Sequence, residues 1–296
     1  MKICILGNGI DKALCGDYDG GAERQSALIA VALSRRGHQV VVLETDASAK
    51  ARVLPEGVKL VPAWSRDRGL SGLRFLTYRM PSLLRAVRDA DPDVIYCRGA
   101  SMYAACLMLA LRGRRHRFVW HLAAQQDVEP RLTYARTFNC SPYTWLHAGP
   151  IFNLSARMLL KYADRVICET REELDVVNRK RRDASIVPTI CERIVASKTT
   201  PGDVCLWVGK FTGIKGEREL LELAKTLPEM RFRAVGHVSR QFADSSLYRE
   251  IVSQSNIHLV GRLQHNDLMR EYPSAALLVH TAPAEGFSNV FLEAWA

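Results

Sequence analysis

The sequence predicts an α/β protein built from two Rossmann-like, doubly wound domains in tandem, the second shorter than the first. Three observations lead there. Short β-branched runs alternate with longer amphipathic patterns from the first residue onward, the pattern of a parallel sheet covered by helices on both faces. The alternation breaks at "ERIVASKTTPGD" (192–203), which mixes charge, Thr, Pro and Gly without periodicity and reads as a linker. The length, 296 residues, is large for one hydrophobic core and comfortable for two. The expected domains are 1–195 and 196–296.

The elements follow in order. "KICILG" is a strand, and "GAERQSALIAVALSRRGH" is an amphipathic helix closed by Gly37. "QVVVLET" and "VKLVPA" are strands, followed by the helical "LRFLTYRMPSLLRAVRDA". The strand in "DPDVIYCRG", the helix "SMYAACLMLALRG" and the strand "RFVWHL" come next, then the helix "FNLSARMLLKYA" and the strand "RVICET". "TREE" places Glu173 three residues after Thr170, a capping box that opens another helix. A second alternation runs through "VCLWVG", "ERELLELAKTL", "RFRAVG", "NIHLVG", "HNDLMREYPSA", "ALLVHTA" and "NVFLEAWA".

Composition narrows the function classes. With 48% hydrophobic and 24% charged residues the chain is an ordinary globular one. Its longest apolar run, "MYAACLMLAL", is about half of what a bilayer crossing needs. The eight cysteines form no Cys-x-x-Cys pair and several lie in strand-like runs, so buried reduced thiols and a cytoplasmic location are expected. No metal-ligand spacing appears among the eight histidines and eight cysteines, and no metal site is expected.

Charge is uneven: 31 basic against 20 acidic residues in 1–200, but 10 against 11 in 201–296. A basic N-terminal half suits an anionic acceptor or an acidic membrane surface on the inner face, as well as plain solvation. No aromatic-interleaved basic motif marks a nucleic-acid partner.

In open α/β sheets ligands bind at the carboxyl ends of the strands, and the candidate residues all fall there. Gly7 and Gly9 begin a dinucleotide fingerprint, but Lys12 holds the third glycine position and the loop is too long, which argues against a nicotinamide cofactor. Gly20 and Gly21 stand just before a helix, where bare backbone N–H groups suit an anionic group; a flexible loop explains them equally well.

"WVGKFTGIKGERELL" puts Lys210 at a strand end and Lys215 before a helix, able to share one diphosphate or simply to be solvated. In "APAEGFSNVFLEAWA", Glu285 lies in a loop and Glu293 in the following helix, with Ser288 or Asn289 as its cap. Ionised carboxylates accept from paired sugar hydroxyls, one a hexose and the other a ribose. Backbone N–H groups of Gly286, Phe287 and Ser288 would face phosphates between them. Taken alone, Glu293 also fits a dipole-stabilising acid.

Arg98, at the end of "DVIYCR", faces an anionic acceptor in this reading, with the Arg112–Arg117 stretch "RGRRHR" on the same basic face. Gly236 and His237 lie in a loop expected to take part in base selection.

"GGAER", "WVGKFTGIKG" and "VGRL…LMREYPSAALLVHTAPAEGFSNVFLEAWA" together resemble retaining glycosyltransferases of the GT-B fold, group 1, family 4. The resemblance runs through nearly the whole chain, and its most specific part is the E-x7-E signature at 285–293. It implies two domains facing a cleft, with a nucleotide-diphosphate sugar as co-substrate and no metal or other cofactor. Glu285 would contact the transferred sugar, Glu293 the donor ribose, and Lys210 and Lys215 the diphosphate. His121 matches a histidine beside the transferred sugar, and Gly20 and Gly21 match the glycine pair of the first loop.

The implied reaction is same-face transfer to a hydroxyl acceptor, an anionic or lipid-linked one in cell-surface glycan or glycolipid synthesis, with peripheral membrane contact. Two other functions share the architecture: a nucleotide-sugar 2-epimerase, and an inactive nucleotide-sugar-binding fragment. "VPTICER" departs from the usual Pro-Asn-Gly step between domains. Family members also continue beyond E-A-x-A, so the sequence reads as C-terminally truncated, its second domain incomplete.

Overall fold

The computed structural model describes residues 1–15, 17, 20–45, 51–54, 56–65, 68–124, 127–128, 147–191, 202–283 and 287–296. The expected boundary at 195/196 lies outside these residues, as do Glu285 and Gly286. The chain forms two compact units, Met1–Ile190 and Cys191–Ala296.

The first unit runs β1 (Lys2–Gly7), α1 (Ile10–Leu14), α2 (Gly21–Arg35), β2 (Gln39–Glu44), β3 (Arg52–Val53), β4 (Lys59–Pro62), α3 (Met80–Ala90), β5 (Val94–Arg98) and α4 (Met102–Leu111). It continues with β6 (Arg117–His121), α5 (Phe152–Tyr162), β7 (Arg165–Cys168), α6 (Arg171–Asn178) and β8 (Ala184–Ile186). The sheet order is β3-β4-β2-β1-β5-β6-β7-β8. Among the described residues of this sheet, β3 and β4 pair antiparallel and the other strands pair parallel.

Strand residues feed two cores by simple alternation. Cys4, Leu6, Val41 and Leu43 pack into one cluster, whereas Ile3, Ile5, Val40 and Val42 pack into another. Period-2 side chains that are apolar on both faces require helices on both sides, which explains the unbroken runs "KICIL" and "QVVVL". Burying each large aliphatic stabilises the fold by roughly 1.5–3 kcal/mol. The described cysteines are free, and Cys4, Cys97, Cys168 and Cys205 are buried.

Local signals explain the helix ends. Gly37 has φ 81°, and the backbone N–H of His38 returns to the Leu33 carbonyl at 3.2 Å, a left-handed glycine closing α2. Thr170 caps α6, accepting from the Glu173 N–H at 3.2 Å, while Glu173 accepts from the Glu169 N–H at 2.8 Å. Such caps contribute about 1 kcal/mol.

The helix expected over 73–90 begins with a π-helical turn at Phe75–Arg79. Pro81 has no N–H to return to residue 77, so the turn leading into α3 widens. The short helix α1, read from sequence as loop, starts at Gly9 with φ 75°.

The second unit runs β9 (Val204–Val208), α7 (Glu217–Thr226), β10 (Arg231–Val235), α8 (Arg240–Ala243), α9 (Ser246–Ser253), β11 (Ile257–Gly261), α10 (His265–Glu271), β12 (Leu277–Val279) and α11 (Asn289–Trp295). Its parallel sheet has the order β11-β10-β9-β12. The strand order reverses beside β9, between its neighbours β10 and β12, so the loops after β9 and β12 flank a topological switch point. In the first unit the corresponding point lies between β1 and β5. Ligands bind in such crevices.

Gly236 owes its identity to backbone packing here. A Cβ on it would collide with the carbonyl oxygen of Gly209. Neither segment can retreat, because Gly209 N–H bonds Val235 O at 3.0 Å and Gly236 N–H bonds Gly261 O at 2.9 Å. Gly236→Ala should lower unfolding free energy by on the order of 3 kcal/mol, measured by urea denaturation. A stability equal to wild type would refute this account of the glycine.

Candidate functional site

The switch point of the second unit gathers cations on a rigid loop. Glu217, the first residue of α7 and buried, turns its carboxylate back onto that loop. Oε1 accepts from the N–H groups of Thr212 and Gly213, both at 2.7 Å, and Oε2 from the Lys215 N–H at 2.9 Å. Gly216 has φ 76°, and a Cβ there would strike the Thr281 carbonyl. This is the physical reason for the Lys215–Gly216 step. Thr281 ties the two loops together: its hydroxyl donates to the Lys215 carbonyl at 3.1 Å and accepts from the Trp207 indole at 2.8 Å.

Lys215 is half-buried, and its ammonium is held below the usual lysine range, first by burial and then by the nearby charge of Lys210, with Glu217 opposing. His280, just beyond β12, is likewise lowered by burial and by Lys215, and its ring lies 4.9 Å from that of Phe291. Lys210, Lys215 and His280 therefore share one electrostatic neighbourhood. Two cations so close suit a dianion that neutralises both.

Glu293, in α11, is buried and accepts from the Tyr272 hydroxyl at 2.7 Å. Ser288 is the residue preceding α11, and its side chain makes no capping bond. Asn289 is the first helical residue, and Phe287 is exposed. Gly236, expected to touch the donor base, has the packing role given above.

In the first unit, His121 and Arg98 end adjacent strands and lie side by side in register. The Tyr96 hydroxyl meets His121 Nδ1 at 2.6 Å, leaving Nε2 buried and without a partner among the described residues. Burial, then the Arg98 charge, lowers the imidazole to about 3, so the ring is neutral near pH 7.

Arg98 differs from expectation. Its guanidinium is buried and bonds Glu169 at 2.5 Å, the two side chains being 5% and 1% exposed. Its charge is already matched inside the fold, so it is not a free cation for an anionic acceptor. Thr189 donates to the same Glu169 oxygen at 2.8 Å, and Gln25 makes paired bonds to the backbone of Ile190 at 2.7 and 2.9 Å. The segment without a Pro-Asn-Gly step is thus fastened by side chains of this chain.

Arg112–Arg117 also departs from the reading. The stretch precedes β6, at the amino end of the strands, whereas Arg98 and His121 close the carboxyl ends. The two basic groups lie at opposite edges of the sheet. Arg117 pairs with Asp164 at 3.0 Å, Arg115 pairs with Asp91, and Arg112 covers the Tyr162 ring at 4.3 Å.

At the first loop the chain supplies its own anions. Buried Glu44 accepts from the N–H groups of Gly9 and Asp11, filling the turn that begins like a dinucleotide fingerprint. Gly20 precedes α2 with an ordinary extended φ of −138°, and the Glu23 carboxylate lies against it. A helix amino end attracts carboxylates in this way.

Glu44 is pushed up to about 7 from 4.5, chiefly by burial, with the Asp11 charge adding and backbone N–H groups opposing. An acid raised in the folded state stabilises the fold below its unfolded value and loses that contribution as pH rises through the folded one. From this group, unfolding free energy should fall by roughly 2–3 kcal/mol between about pH 4.5 and 7. Glu44→Gln should flatten that fall in denaturation measured across this range; an identical pH dependence would overturn the assignment.

Sequence reasoning missed Glu217, His280, Tyr96 and Glu169. Glu217 carried a signal, an acid opening a helix straight after Lys-Gly. The others depend on contacts distant in sequence. Among the described residues, no group of three or more His, Cys, Asp or Glu side chains is arranged to hold a metal ion. No helix among them is long and apolar enough to cross a membrane.

The two units and their switch points define a GT-B fold. Solved structures agree on the architecture. Starch synthase IV of Arabidopsis thaliana, bound to ADP and acarbose, aligns at a TM-score of 0.63 and 12% identity, over 99% of this chain and 80% of that one. UDP-GlcNAc 2-epimerase of Neisseria meningitidis, bound to UDP-GlcNAc, aligns at 0.54 and 13%, over 94% and 76%. TarM of S. aureus, with fondaparinux, alpha-GlcNAc-glycerol and UDP, aligns at 0.55 and 14%, over 73% of this chain and 43% of its own length. A search of curated proteins finds no match.

Glycosyltransferase Family 4 matches residues 19–190, more than half of the chain. The chain belongs to that family.

Proposed function

We propose that the chain moves a sugar from a nucleotide-diphosphate sugar to a hydroxyl acceptor with retention of configuration, in cell-surface glycan or glycolipid synthesis. One observation carries this reading: Lys210 and Lys215, on a loop locked by Glu217, share a neighbourhood with His280 of the loop after β12, at the switch point of the second unit. Family membership and solved relatives holding UDP or ADP support the same class of donor.

In this proposal the C1–O bond to the diphosphate loosens, and the two ammonium groups take up the negative charge that develops. Such stabilisation is strong because the loop is already in place and need not reorganise. An acceptor hydroxyl attacks C1 from the leaving-group side, and the nucleoside diphosphate departs. Glu293 accepts from donor ribose hydroxyls and Glu285 from the transferred sugar. His121 keeps the role the resemblance implies, its Nε2 directed to a sugar oxygen. The proposal needs no metal.

Nucleoside diphosphate release from a panel of nucleotide sugars, with NMR of the product anomer, tests this. Retention with release is the expected result. The 2-epimerase reading is favoured by buried carboxylates near His121: Glu169 pairs with the neighbouring Arg98, and Glu173 bonds the Glu169 N–H. Epimerisation at C2 without an acceptor would establish it instead. Donor binding without turnover would indicate a binding fragment.

A further inference from the structure

We infer that Tyr96 is a positioning residue: its hydroxyl donates to His121 Nδ1 and fixes the ring as the tautomer with hydrogen on Nε2, so that His121 presents a hydrogen-bond donor and no base. The tautomer stands on the first unit alone. That the donor meets an oxygen of the transferred sugar rests on the proposed function.

Strand register brings the groups together. Tyr96 and Arg98 are two apart on β5 and so share one face of the sheet, and His121 stands beside Arg98 at the end of β6. The Tyr96 oxygen lies 2.6 Å from Nδ1, with the rings edge to face at 82° and their centroids 5.9 Å apart. Tyr96 is held there by the core it shares with Ile3, Ile5 and Val42. His121 is 2% exposed, so water does not compete for the contact.

The hydrogen across that contact can be placed by elimination. If Nδ1 donated, the Tyr96 hydroxyl would need another acceptor, and among the described residues it has none. Arg98, whose charge reaches the Tyr96 oxygen, has only donors to give. A buried donor left without an acceptor is costly. If Tyr96 donates, both groups are satisfied, and the single hydrogen of the neutral ring sits on Nε2. Burial raises the phenol above its ordinary range, with the Arg98 charge opposing, so the hydroxyl keeps its hydrogen near pH 7.

The chemical consequence is directional. The Nδ1 lone pair is engaged by Tyr96, and Nε2 carries hydrogen, so the ring can give a hydrogen bond to a hydroxyl or ether oxygen of a sugar. It has no lone pair with which to take a proton from carbon. Any base for C2 epimerisation would have to be another group.

Long-range proton–nitrogen NMR on the whole chain with labelled histidine, at pH 7, tests the inference. The His121 signals are assigned by their loss in His121→Asn. Nε2 should be the hydrogen-bearing nitrogen by at least about ten to one. The Nδ1 signal should shift in Tyr96→Phe, which removes the hydroxyl and keeps the ring. A coupling between the Tyr96 hydroxyl proton and Nδ1 in the wild type serves as the second measurement if that variant does not fold. On a donor that the chain turns over, Tyr96→Phe should lower kcat/KM by about 5- to 30-fold. A wild-type ring with hydrogen on Nδ1, an Nδ1 signal unmoved by Tyr96→Phe, or an unchanged kcat/KM would each overturn it. The spectrum needs no substrate, so failure of the tautomer is distinguishable from failure of the transfer reading.

Discussion

Lys215→Ala should slow turnover by about 30- to 1000-fold, a barrier increase of roughly 2–4 kcal/mol, with the fold intact. The effect is large because Lys215 does not wander. Its own N–H is held by Glu217, its carbonyl by Thr281, and its ammonium is partly desolvated beside Lys210. Removing it leaves Lys210 alone to face the departing diphosphate. The check is steady-state kinetics on whichever donor the panel identifies, alongside thermal unfolding. A rate within about threefold of wild type, at unchanged stability, would remove Lys215 from the mechanism.

Arg98→Ala should cost about 3–5 kcal/mol of stability, because it strands a buried carboxylate. Glu169 is 1% exposed at its side chain and would keep only the Thr189 hydroxyl on the oxygen that Arg98 now contacts. Replacing both partners with apolar residues of similar volume, Arg98→Met with Glu169→Leu, should recover most of the loss, since no charge is then left buried. Urea denaturation of the two single variants and the double decides the matter. Additive losses would mean that the pair does not interact. The same series separates a structural arginine from one that meets an acceptor: the double variant should keep acceptor affinity.

The α/β alternation, the parallel sheets and the helix ends at Gly37 and Thr170 were legible because each is written in adjacent residues. Hydrophobic period, a capping pair and a left-handed glycine act over a few positions, and the chain obeys them locally. The lysine loop was legible in part. Two lysines five apart, around a strand end and a helix start, signalled an anion site. An acid opening the helix straight after Lys-Gly hinted at the Glu217 clamp, but nothing nearby revealed that His280 would join the site. Gly236 was ambiguous for the same reason: a glycine in a ligand loop and a glycine crowded by a neighbouring strand look identical in one dimension.

By itself, then, the amino-acid order determined the layers, the strand direction and the family resemblance, because these follow from short-range periodicity and contiguous motifs. Tertiary structure alone decided the fate of the charges. Arg98 and Arg112–Arg117 are both basic stretches beside strands, yet one is buried against Glu169 and the other lies at the far edge of the sheet among Asp164, Asp91 and Tyr162. An ionic partner is chosen by proximity in three dimensions, across 71 residues in the case of Arg98 and Glu169. Local sequence carries no record of that distance.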